Sequence, residues 1–524
     1  MMKTKDKVVL NRDRVKQGDF VNQVKAGAIL SYVNIIINIC IGLIYTPFMM
    51  RTLGQSEYGL YALIGSVAAY LNILDMGLAN TLVRYTARNR AVGSKQQEAE
   101  LNGLFLAMYS VIGLLALLAG GFVYCQMDAL FGASLSGEEL ARARIMTVLL
   151  VLNISLTFPF SIFASIMQAY ERFVYLRAVN ILRSLLMPVI MVPLLLLGYG
   201  SVAMVVVSVG LNVACLLLNV YYCCSRLDVH FAWGHFDREF LQEIAGSSVF
   251  IFLNAVMDKV YWGSGQFVLG IVSGTLQVAV YAVVMQFLMM FMQFSTAISS
   301  VFLPKVTMMV ARGVTEDELT AFMIRIGRLQ LYLIGMIISL FFLLGRDFIC
   351  LWAGDGYVAA YPMVLMLMLV MTIPLVQNSG IAILMAMNLN RYRMTVYTIC
   401  AVISFFISFP AAMQLGGIGC AITTALSLFV STGFFMNRYY KNKIGIDTGR
   451  FWRQMGRIWL VVVGFVIIAG GHKYFTDSID GWPSFFVYAV SYMLFYVLCI
   501  YRGCMNGYEK GLLLGVVQKW RGRR

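Results

Sequence analysis

The segment SYVNIIINICIGLIYTPFMM, residues 31–50, is followed by RTLGQSEYGL at 51–60 and by YALIGSVAAYLNILDMGLAN at 61–80. The first and third pieces are mostly apolar, and each has the length of about 20 residues that an α-helix needs to cross a membrane. The short piece between them is polar and contains a glycine, as expected of a turn. The segment therefore predicts a hairpin of two membrane-spanning helices.

The composition of the whole chain agrees with this hairpin. Of its 524 residues, 60% are hydrophobic and only 12% are charged, and the mean hydropathy is +0.79. Soluble proteins carry about 25% charged residues, so a water-soluble fold is excluded. The net charge is +15, but the basic residues lie between apolar runs, which favours a membrane surface over nucleic acid as their partner. The first 25 residues are basic and lack the apolar core of a signal peptide.

The other long apolar runs predict further spans, fourteen in all. Glycine-rich turns at 198–200 and 416–419 separate two closely spaced pairs. The chain is thus predicted to be an all-α, polytopic membrane protein, with helices at 26–50, 58–82, 101–125, 145–169, 176–197, 201–224, 243–271, 277–303, 328–350, 361–387, 394–415, 418–437, 457–472 and 483–501.

The distribution of basic residues predicts the orientation of these helices. If the N-terminus is cytoplasmic, thirty-three of the forty lysines and arginines lie in the two tails and in every second loop. The remaining loops hold only Arg51, Arg142, Arg144, Arg346 and Lys473. Loops rich in basic residues stay in the cytoplasm, and a missed helix would invert every later loop. We therefore expect an even number of spans with both termini cytoplasmic.

Weak sequence echoes at an offset of about 220 residues indicate an internal repeat. Gly54 falls on Gly274, Tyr61-Ala62 on Tyr281-Ala282, and Met167-Gln168 on Met387-Asn388. The offset maps helices 1–6 onto helices 7–12, and because six is even, the two halves share one orientation. Parallel repeats of this kind are typical of transporters whose substrate site lies between the halves. We predict an N-lobe at 1–225, a C-lobe at 226–440, and helices 13–14 with a basic cytoplasmic tail at 441–524.

Several motifs carry a family resemblance. The segment TPFMMRTLGQSEYGLYAL at 46–63 resembles the end of helix 1 and the start of helix 2 in bacterial polysaccharide-export flippases, the O-antigen and capsule translocases of the multidrug/oligosaccharidyl-lipid/polysaccharide (MOP) exporter superfamily. Supporting matches are LDMGL at 74–78, Asp258-Lys259 followed by Leu269-Gly270, VYA at 280–282 and LPK at 303–305. Ala279 departs from the glycine that the family usually has there.

The resemblance implies two six-helix lobes around a central cavity that opens alternately to either side. It also implies a function, which is the movement of undecaprenyl-pyrophosphate-linked oligosaccharide repeat units from the cytoplasmic to the periplasmic leaflet. The product would be a surface polysaccharide such as O-antigen, lipopolysaccharide, capsule or exopolysaccharide. The expected location is the bacterial inner membrane. Besides membrane lipids and the lipid-linked oligosaccharide, the polysaccharide polymerase and chain-length machinery are candidate partners.

A pyrophosphate headgroup cannot cross hydrocarbon without polar partners, so a flippase needs ionisable and amide groups inside its spans. Lys259 in helix 7 and Arg183 in helix 5 are the candidates for binding an anionic headgroup. The alternatives are structural pairing for Lys259 and snorkelling to the cytoplasmic surface for Arg183.

Amide side chains within the spans are candidates for binding sugars, and the alternative for them is hydrogen bonding between helices. Asn34 and Asn38 lie one turn apart, and Gln286 and Gln293 lie two turns apart, so each pair shares a helix face. Asn254 lies one turn before Asp258, and Asn378 follows Pro374, which can kink its helix. The candidates are Asn34, Asn38, Asn254, Gln286, Gln293 and Asn378.

Two carboxylates within spans are candidates for coupling transport to an ion. Asp75 and Asp258 could take up a proton or bind Na⁺. The alternative is structural: Asp75 could cap a helix or pair with Arg84, and Asp258 could pair with a neighbouring helix. Beyond such coupling by H⁺ or Na⁺, we expect no cofactor and no metal, because cysteines and histidines show no ligand spacing.

Two other functions remain open. The first is export of drugs or organic cations by a member of the same superfamily, although such exporters usually have twelve helices and acidic cavities. The second is a membrane polysaccharide polymerase or ligase, which would usually need a large outer loop with catalytic Arg or His. The longest outer loop here is short, at roughly 126–144, and no HExxH, Gly-x-Ser-x-Gly or Walker motif is present. We therefore expect a transporter rather than an enzyme.

Overall fold

The computed structural model describes residues 26, 30–31, 33–75, 77–234, 256–475, 481–507 and 509–511, and within these ranges its secondary structure is helical without strands. Long helices follow one another with short turns between them. They are α1 Val33–Leu53, α2 Gln55–Val92, α3 Lys95–Cys125, α4 Gly137–Ala169, α5 Phe173–Leu196, α6 Ser201–Arg226, α7 256–272, α8 Thr275–Ala311, α9 Glu316–Trp352, α10 Ala360–Ala386, α11 Asn390–Leu415, α12 Gly417–Ile444, α13 Thr448–Phe475 and α14 Gly481–Gly503.

Each of the fourteen predicted spans coincides with one of these helices, so the predicted all-α, multi-pass membrane fold is confirmed. Thirteen of the described helices are long and apolar enough to cross a membrane. The other, α7, is described only from residue 256, and the first part of its predicted span lies outside the described residues.

Several helices are longer than the apolar runs that predicted them, because polar turns at their ends continue the helix beyond the hydrocarbon. α3 begins at Lys95, where the Ser94 side chain accepts the N–H of Gln97 and the Gln97 side chain accepts the N–H of Ser94. α9 begins at Glu316, and the Thr315 side chain accepts the N–H of Glu318. Such caps satisfy N–H groups that the first turn leaves unpaired.

Two helices are interrupted inside the span. In α2, a 3₁₀ turn at Asn72–Asp75 precedes Gly77, whose φ of 69° ends the first segment before helix resumes at Leu78–Val92. In α10, Pro374 lies three residues before a break at Gln377. Proline cannot donate the hydrogen bond that continues a helix, but it does not by itself determine a break, because Pro159 and Pro410 lie within helices that are uninterrupted.

The structure contains similar features about 220 residues apart, as the matching residues in the sequence predicted. Gly54 and Gly274 occupy corresponding turns with φ of 80° and 79°. Stacked tyrosines recur as well: Tyr175 and Tyr222 have ring centroids 4.0 Å apart, and Tyr392 and Tyr439 have centroids 4.1 Å apart, each 217 residues further along the chain. Corresponding turns and helix ends are thus built alike in α1–α6 and α7–α12.

The chain forms two compact units, 1–278 and 279–524, so α7 belongs to the first unit by its contacts. In the first unit, the core includes Phe105, Tyr109, Ile162 and Ile166, which are fully buried between α3 and α4. In the second unit, α13 and α14 pack against α9. The division into lobes at 1–225 and 226–440 with a tail domain at 441–524 stays a prediction from the repeat.

Candidate functional site

A cavity of about 460 Å³ lies in the first unit among α1, α2, α5 and α6. Tyr45 and Tyr61 form part of its wall, and apolar side chains such as Met187 and Met204 form another part. Its polar lining consists of Asn34, Asn38, Asn180, Arg183, Ser184 and Ser208. Three of the residues that the sequence analysis singled out, Asn34, Asn38 and Arg183, therefore meet in one cavity.

The amides of α1 are linked to α5 by hydrogen bonds. Asn38 donates from Nδ2 to the carbonyl oxygen of Asn34 at 2.7 Å and to its Oδ1 at 3.1 Å. Ser184 donates from its hydroxyl to Oδ1 of Asn38 at 3.4 Å. Asn34 and Asn38 share one face of α1 as predicted, and this face points to the helix that carries Arg183.

Arg183 gives the cavity its charge. It is half-buried, and the part of the lining that the structure describes includes neither a second cation nor a carboxylate. A guanidinium group has five N–H donors in a planar fork, which suits phosphate oxygens better than any other side chain does. The arrangement can bind an anionic group at Arg183 while the nearby amides and hydroxyls bond to hydroxyl groups of a sugar.

Asn180, Ser184 and Ser208 were missed in the sequence analysis. Asn180 lies three residues before Arg183, and Ser184 lies one residue after it. Asn180 and Arg183 therefore share a helix face. An asparagine one turn before an arginine inside a predicted span was a signal that could have identified Asn180 as a candidate site residue. Ser208 carried no such signal, because serines are common between packed membrane helices.

Lys259 and Asp258 lie on α7, where both side chains are exposed. Among the described residues, no carboxylate lies within ion-pair distance of Lys259, and Lys259 is not part of the cavity lining. Its role and that of Asp258 stay predictions. Asn254 lies outside the described residues.

The amide candidates of the second unit differ in their surroundings. Gln286 is half-buried and Gln293 is exposed on α8. Asn378 donates to the hydroxyl of Ser295 at 3.4 Å, and the fully buried Gln330 donates to the same hydroxyl at 3.2 Å. This network joins three helices, so the geometry of Asn378 favours the structural alternative of interhelical hydrogen bonding.

Asp75 ends the 3₁₀ turn that interrupts α2. Its carboxylate lies beside the hydroxyl of Tyr109 and the backbone N–H of Gly77. Asp75 and Arg84 form no ion pair: the Arg84 guanidinium lies over the ring of Tyr85, 5.0 Å from its centroid. The proposed pairing with Arg84 is therefore wrong, and Asp75 lies instead at the break in α2, where Gly77 begins the following segment without a side-chain cap. Ion coupling by Asp75 stays untested.

Solved transporters share this fold. The structure of the lipid II flippase MurJ in an inward closed conformation superimposes with a TM-score of 0.71 and 13% sequence identity, covering 91% of this chain and 98% of MurJ. An inward-facing multidrug resistance transporter of the MATE family in the MOP superfamily superimposes with a TM-score of 0.59 and 15% identity, covering 78% of this chain and 98% of that one. These similarities establish the fold and do not identify a cargo.

Sequence similarity identifies the family. The chain is 21% identical over 494 residues to the uncharacterized membrane protein EpsK of Bacillus subtilis (strain 168), covering 91% of this chain and 94% of EpsK. Residues 24–310, more than half of the chain, match the family described as "Polysaccharide biosynthesis protein". The chain therefore belongs to the polysaccharide biosynthesis protein family.

Proposed function

We propose that the cargo is an oligosaccharide linked to undecaprenyl pyrophosphate, and that the chain moves it from the cytoplasmic to the outer leaflet of the bacterial inner membrane. Transport proceeds by alternating access, with both termini in the cytoplasm. The polysaccharide polymerase that elongates the repeat units and the chain-length machinery act downstream.

The observation that carries this proposal is the charge of the cavity. Among the described residues that line it, Arg183 alone carries a full charge at neutral pH, and three asparagines and two serines surround it. A pyrophosphate and several sugars require such a combination, because phosphate oxygens accept from a guanidinium and sugar hydroxyls pair with amides. The family membership and the fold shared with a lipid II flippase support the same cargo class.

Export of drugs or organic cations is the second candidate, because MATE transporters share the fold. A site for an organic cation is expected to contain a carboxylate or a desolvated aromatic face. The lining of the described cavity has two tyrosines but no carboxylate. Its electrostatics therefore favour an anionic cargo over a cationic one.

Reconstitution distinguishes these functions. The purified protein is placed in liposomes that contain a lipid-pyrophosphate-linked oligosaccharide, and the fraction of sugar open to an external glycosidase is followed over time. We expect the protein to speed the exposure of sugar from the inner leaflet, and a cationic dye to cross no faster than in protein-free liposomes. Dye transport without sugar exposure would replace the proposal with cation export.

Gene deletion tests the enzyme alternative. We expect the deletion strain to accumulate lipid-linked repeat units on the cytoplasmic face of its membrane. Unpolymerised repeat units on the outer face would instead show that a polymerase or ligase step had been lost.

A further inference from the structure

A second cavity, of about 430 Å³, lies in the first unit at the predicted outer ends of α1, α5 and α6. The segment 46–63, which carries the family resemblance, contributes to both cavities. Tyr61 lines the cavity that contains Arg183, and Glu57 lines the second cavity. The first unit therefore has a polar cavity in addition to the one around Arg183.

The two cavities follow one another along the same helix faces, because residues three or four apart lie on one face. Lining residues of the two cavities are one turn apart in three pairs, which are Met49 and Leu53 on α1, Tyr61 and Glu57 on α2, and Met204 and Ser201 on α6. On α5, Arg183 in the first cavity and Leu195 in the second are twelve residues apart, which is about 18 Å along a helix. A chain of several sugars that begins near Arg183 can therefore extend toward the second cavity.

An ion pair presents hydrogen-bond donors and acceptors to the second cavity. Arg142, in the second turn of α4, donates from a terminal nitrogen to Oε1 of Glu57, and the N–H of Ser201 donates to Oε2 at 2.9 Å. Arg142 also donates to Glu138 at 3.3 Å. These bonds hold the carboxylate and the guanidinium in place before a ligand binds. A carboxylate has about four lone-pair sites and a guanidinium has five N–H donors, so both groups can also bond to a ligand.

The second cavity is open at the surface and has an aromatic side chain at its rim. Tyr199, in the turn before α6, lines the cavity and is 55% exposed. A Cβ atom at Gly200 would lie 3.0 Å from Oε2 of Glu57, so the glycine leaves this side of the carboxylate uncovered. The apolar face of a sugar ring can pack on an aromatic ring while its hydroxyl groups bond to charged side chains.

We propose that the second cavity is a sugar-binding site, which holds an uncharged sugar residue far from the lipid while Arg183 binds the pyrophosphate. The inference rests on the proposed function and assigns sugar binding to Glu57, Arg142 and Tyr199. The described lining contains one carboxylate and one guanidinium, whose charges cancel. A neutral group rich in hydroxyls therefore fits this cavity better than a phosphate or an organic cation does. Because the site lies about 18 Å from Arg183 along α5, it favours cargo with several sugars over cargo with one.

Binding of a free oligosaccharide tests this site. The probe is the oligosaccharide released by mild acid from lipid-linked repeat units of the organism's own membranes and labelled with a fluorophore. Its binding to the purified full-length protein is followed by fluorescence anisotropy. We expect Glu57→Gln to weaken binding by roughly tenfold or more, because a bond to a charged group is lost. Tyr199→Ala should weaken binding severalfold, and Tyr199→Phe, which keeps the ring, should restore it.

Tyr124→Ala is the matched control for Tyr199→Ala. Tyr124 is 40% exposed at the predicted outer end of α3 and is not among the described lining residues of either cavity. The Tyr124→Ala protein should bind the probe as the unmodified protein does. Thermal midpoints measured for each variant separate a loss of binding from a loss of folding. Equal binding by the unmodified, Glu57→Gln and Tyr199→Ala proteins would overturn the inference, and so would equal losses in Tyr124→Ala and Tyr199→Ala.

Arg183→Gln separates the two cavities, because the probe has no phosphate. This variant should bind the probe nearly as well as the unmodified protein does. A loss of probe binding in Arg183→Gln but not in Glu57→Gln would place the sugar in the first cavity and contradict the second site. If the probe binds as expected but no lipid-linked sugar moves in liposomes, the cargo proposal fails while the sugar site stands. If lipid-linked sugar moves and Glu57→Gln and Tyr199→Ala leave probe binding unchanged, the second site fails alone.

Discussion

Arg183 is the residue on which the proposed cargo depends most. It is half-buried beside Asn180 and Ser184 in a cavity whose described lining residues include no carboxylate. A hydrogen bond to a charged group contributes about 1.5–3 kcal/mol, which corresponds to roughly a ten- to hundredfold change in an equilibrium or rate. We expect Arg183→Gln to slow sugar exposure in liposomes by about that factor. Arg183→Lys should retain part of the activity, because lysine keeps the positive charge but lacks the planar fork of N–H donors.

Arg177 provides a matched control for Arg183. It lies on the same helix, is exposed and does not line the cavity. The Arg177→Gln protein should therefore transport at close to the unmodified rate. Equal losses in the Arg177→Gln and Arg183→Gln proteins would assign the effect to the overall charge of α5. Arg183 would then no longer be supported as the residue that binds the anionic group of the cargo.

Glu509 is a buried carboxylate beyond the end of α14, only 3% exposed. Arg328 donates to both of its oxygens, from Nε at 2.7 Å and from a terminal nitrogen at 2.8 Å, and Tyr332 donates to it at 2.9 Å. Burial by itself would raise the pKa of Glu509, but the hydrogen bonds from Arg328, the N–H of Asn506 and Tyr332 outweigh burial and lower it.

Because the pKa of Glu509 is lowered in the folded state, the stability that its ionised carboxylate contributes depends on pH in one direction. It is fully present above the ordinary glutamate pKa of about 4.3 and is lost as the pH falls through the lower folded-state value. Removing one partner of a buried pair costs about 3–5 kcal/mol. We expect Glu509→Gln to lower the thermal midpoint in detergent at pH 7, and the difference from the unmodified protein to shrink below about pH 4. A difference that is constant from pH 7 to pH 3 would show that the charge of Glu509 is not what stabilises the fold.

At the scale of helices, the sequence predicted which segments cross the membrane but not where each helix ends. Apolar runs reveal only the part of a helix inside the hydrocarbon, so the run at 328–350 gave no sign that α9 begins at Glu316. The polar first turns of α9 depend on the cap at Thr315, which is a local signal that hydropathy does not contain. Pro374 marks a point at which α10 can kink, although Pro159 and Pro410 lie in uninterrupted helices. The break in α2 needs Gly77 in a left-handed conformation, and glycines in spans are too common to predict this.

The hairpin of α11 and α12 depends on a close approach that can be tested. A Cβ atom at the buried Gly419 would lie 2.1 Å from the carbonyl oxygen of Ala411, which is backbone and cannot move aside. We expect Gly419→Ala to force the two helices apart, with a cost of about 1–3 kcal/mol for overpacking. A lower thermal midpoint and a smaller yield of folded protein after detergent extraction would show this.

Gly464 in α13 is the control for Gly419, because a Cβ atom there meets nothing within 4 Å. Alanine favours the helix over glycine by up to about 1 kcal/mol in water. The Gly464→Ala protein should therefore be as stable as the unmodified one or slightly more so. If Gly419→Ala has the same effect as Gly464→Ala, the hairpin tolerates separation and the close approach is not required.

At the scale of the molecule, helix count, helix order and repeat were predictable, whereas the composition of the cavity was only partly so. The pairing of Asn34 with Asn38 follows from helical periodicity alone. Their meeting with Arg183, about 145 residues later in the sequence, depends on how α1 packs against α5, and no local pattern encodes this packing. For the same reason the sequence could not distinguish Asn378, which binds Ser295 across helices, from amides that face a cavity.

The charge distribution predicts the orientation of the whole molecule, and this prediction can be tested. Because thirty-three of the forty basic residues fall on one side, we expect the N- and C-terminal tails and the loop at Lys95 to lie in the cytoplasm and the loop before α4 to lie outside. Glu138 and Lys95 have side chains that are 87% and 88% exposed, so both positions are open to reagents. In a cysteine-free background, Glu138→Cys should react with an impermeant maleimide in intact cells, and Lys95→Cys should react only after the membrane is permeabilised. The reverse pattern would contradict the predicted orientation, because both tails would then lie outside.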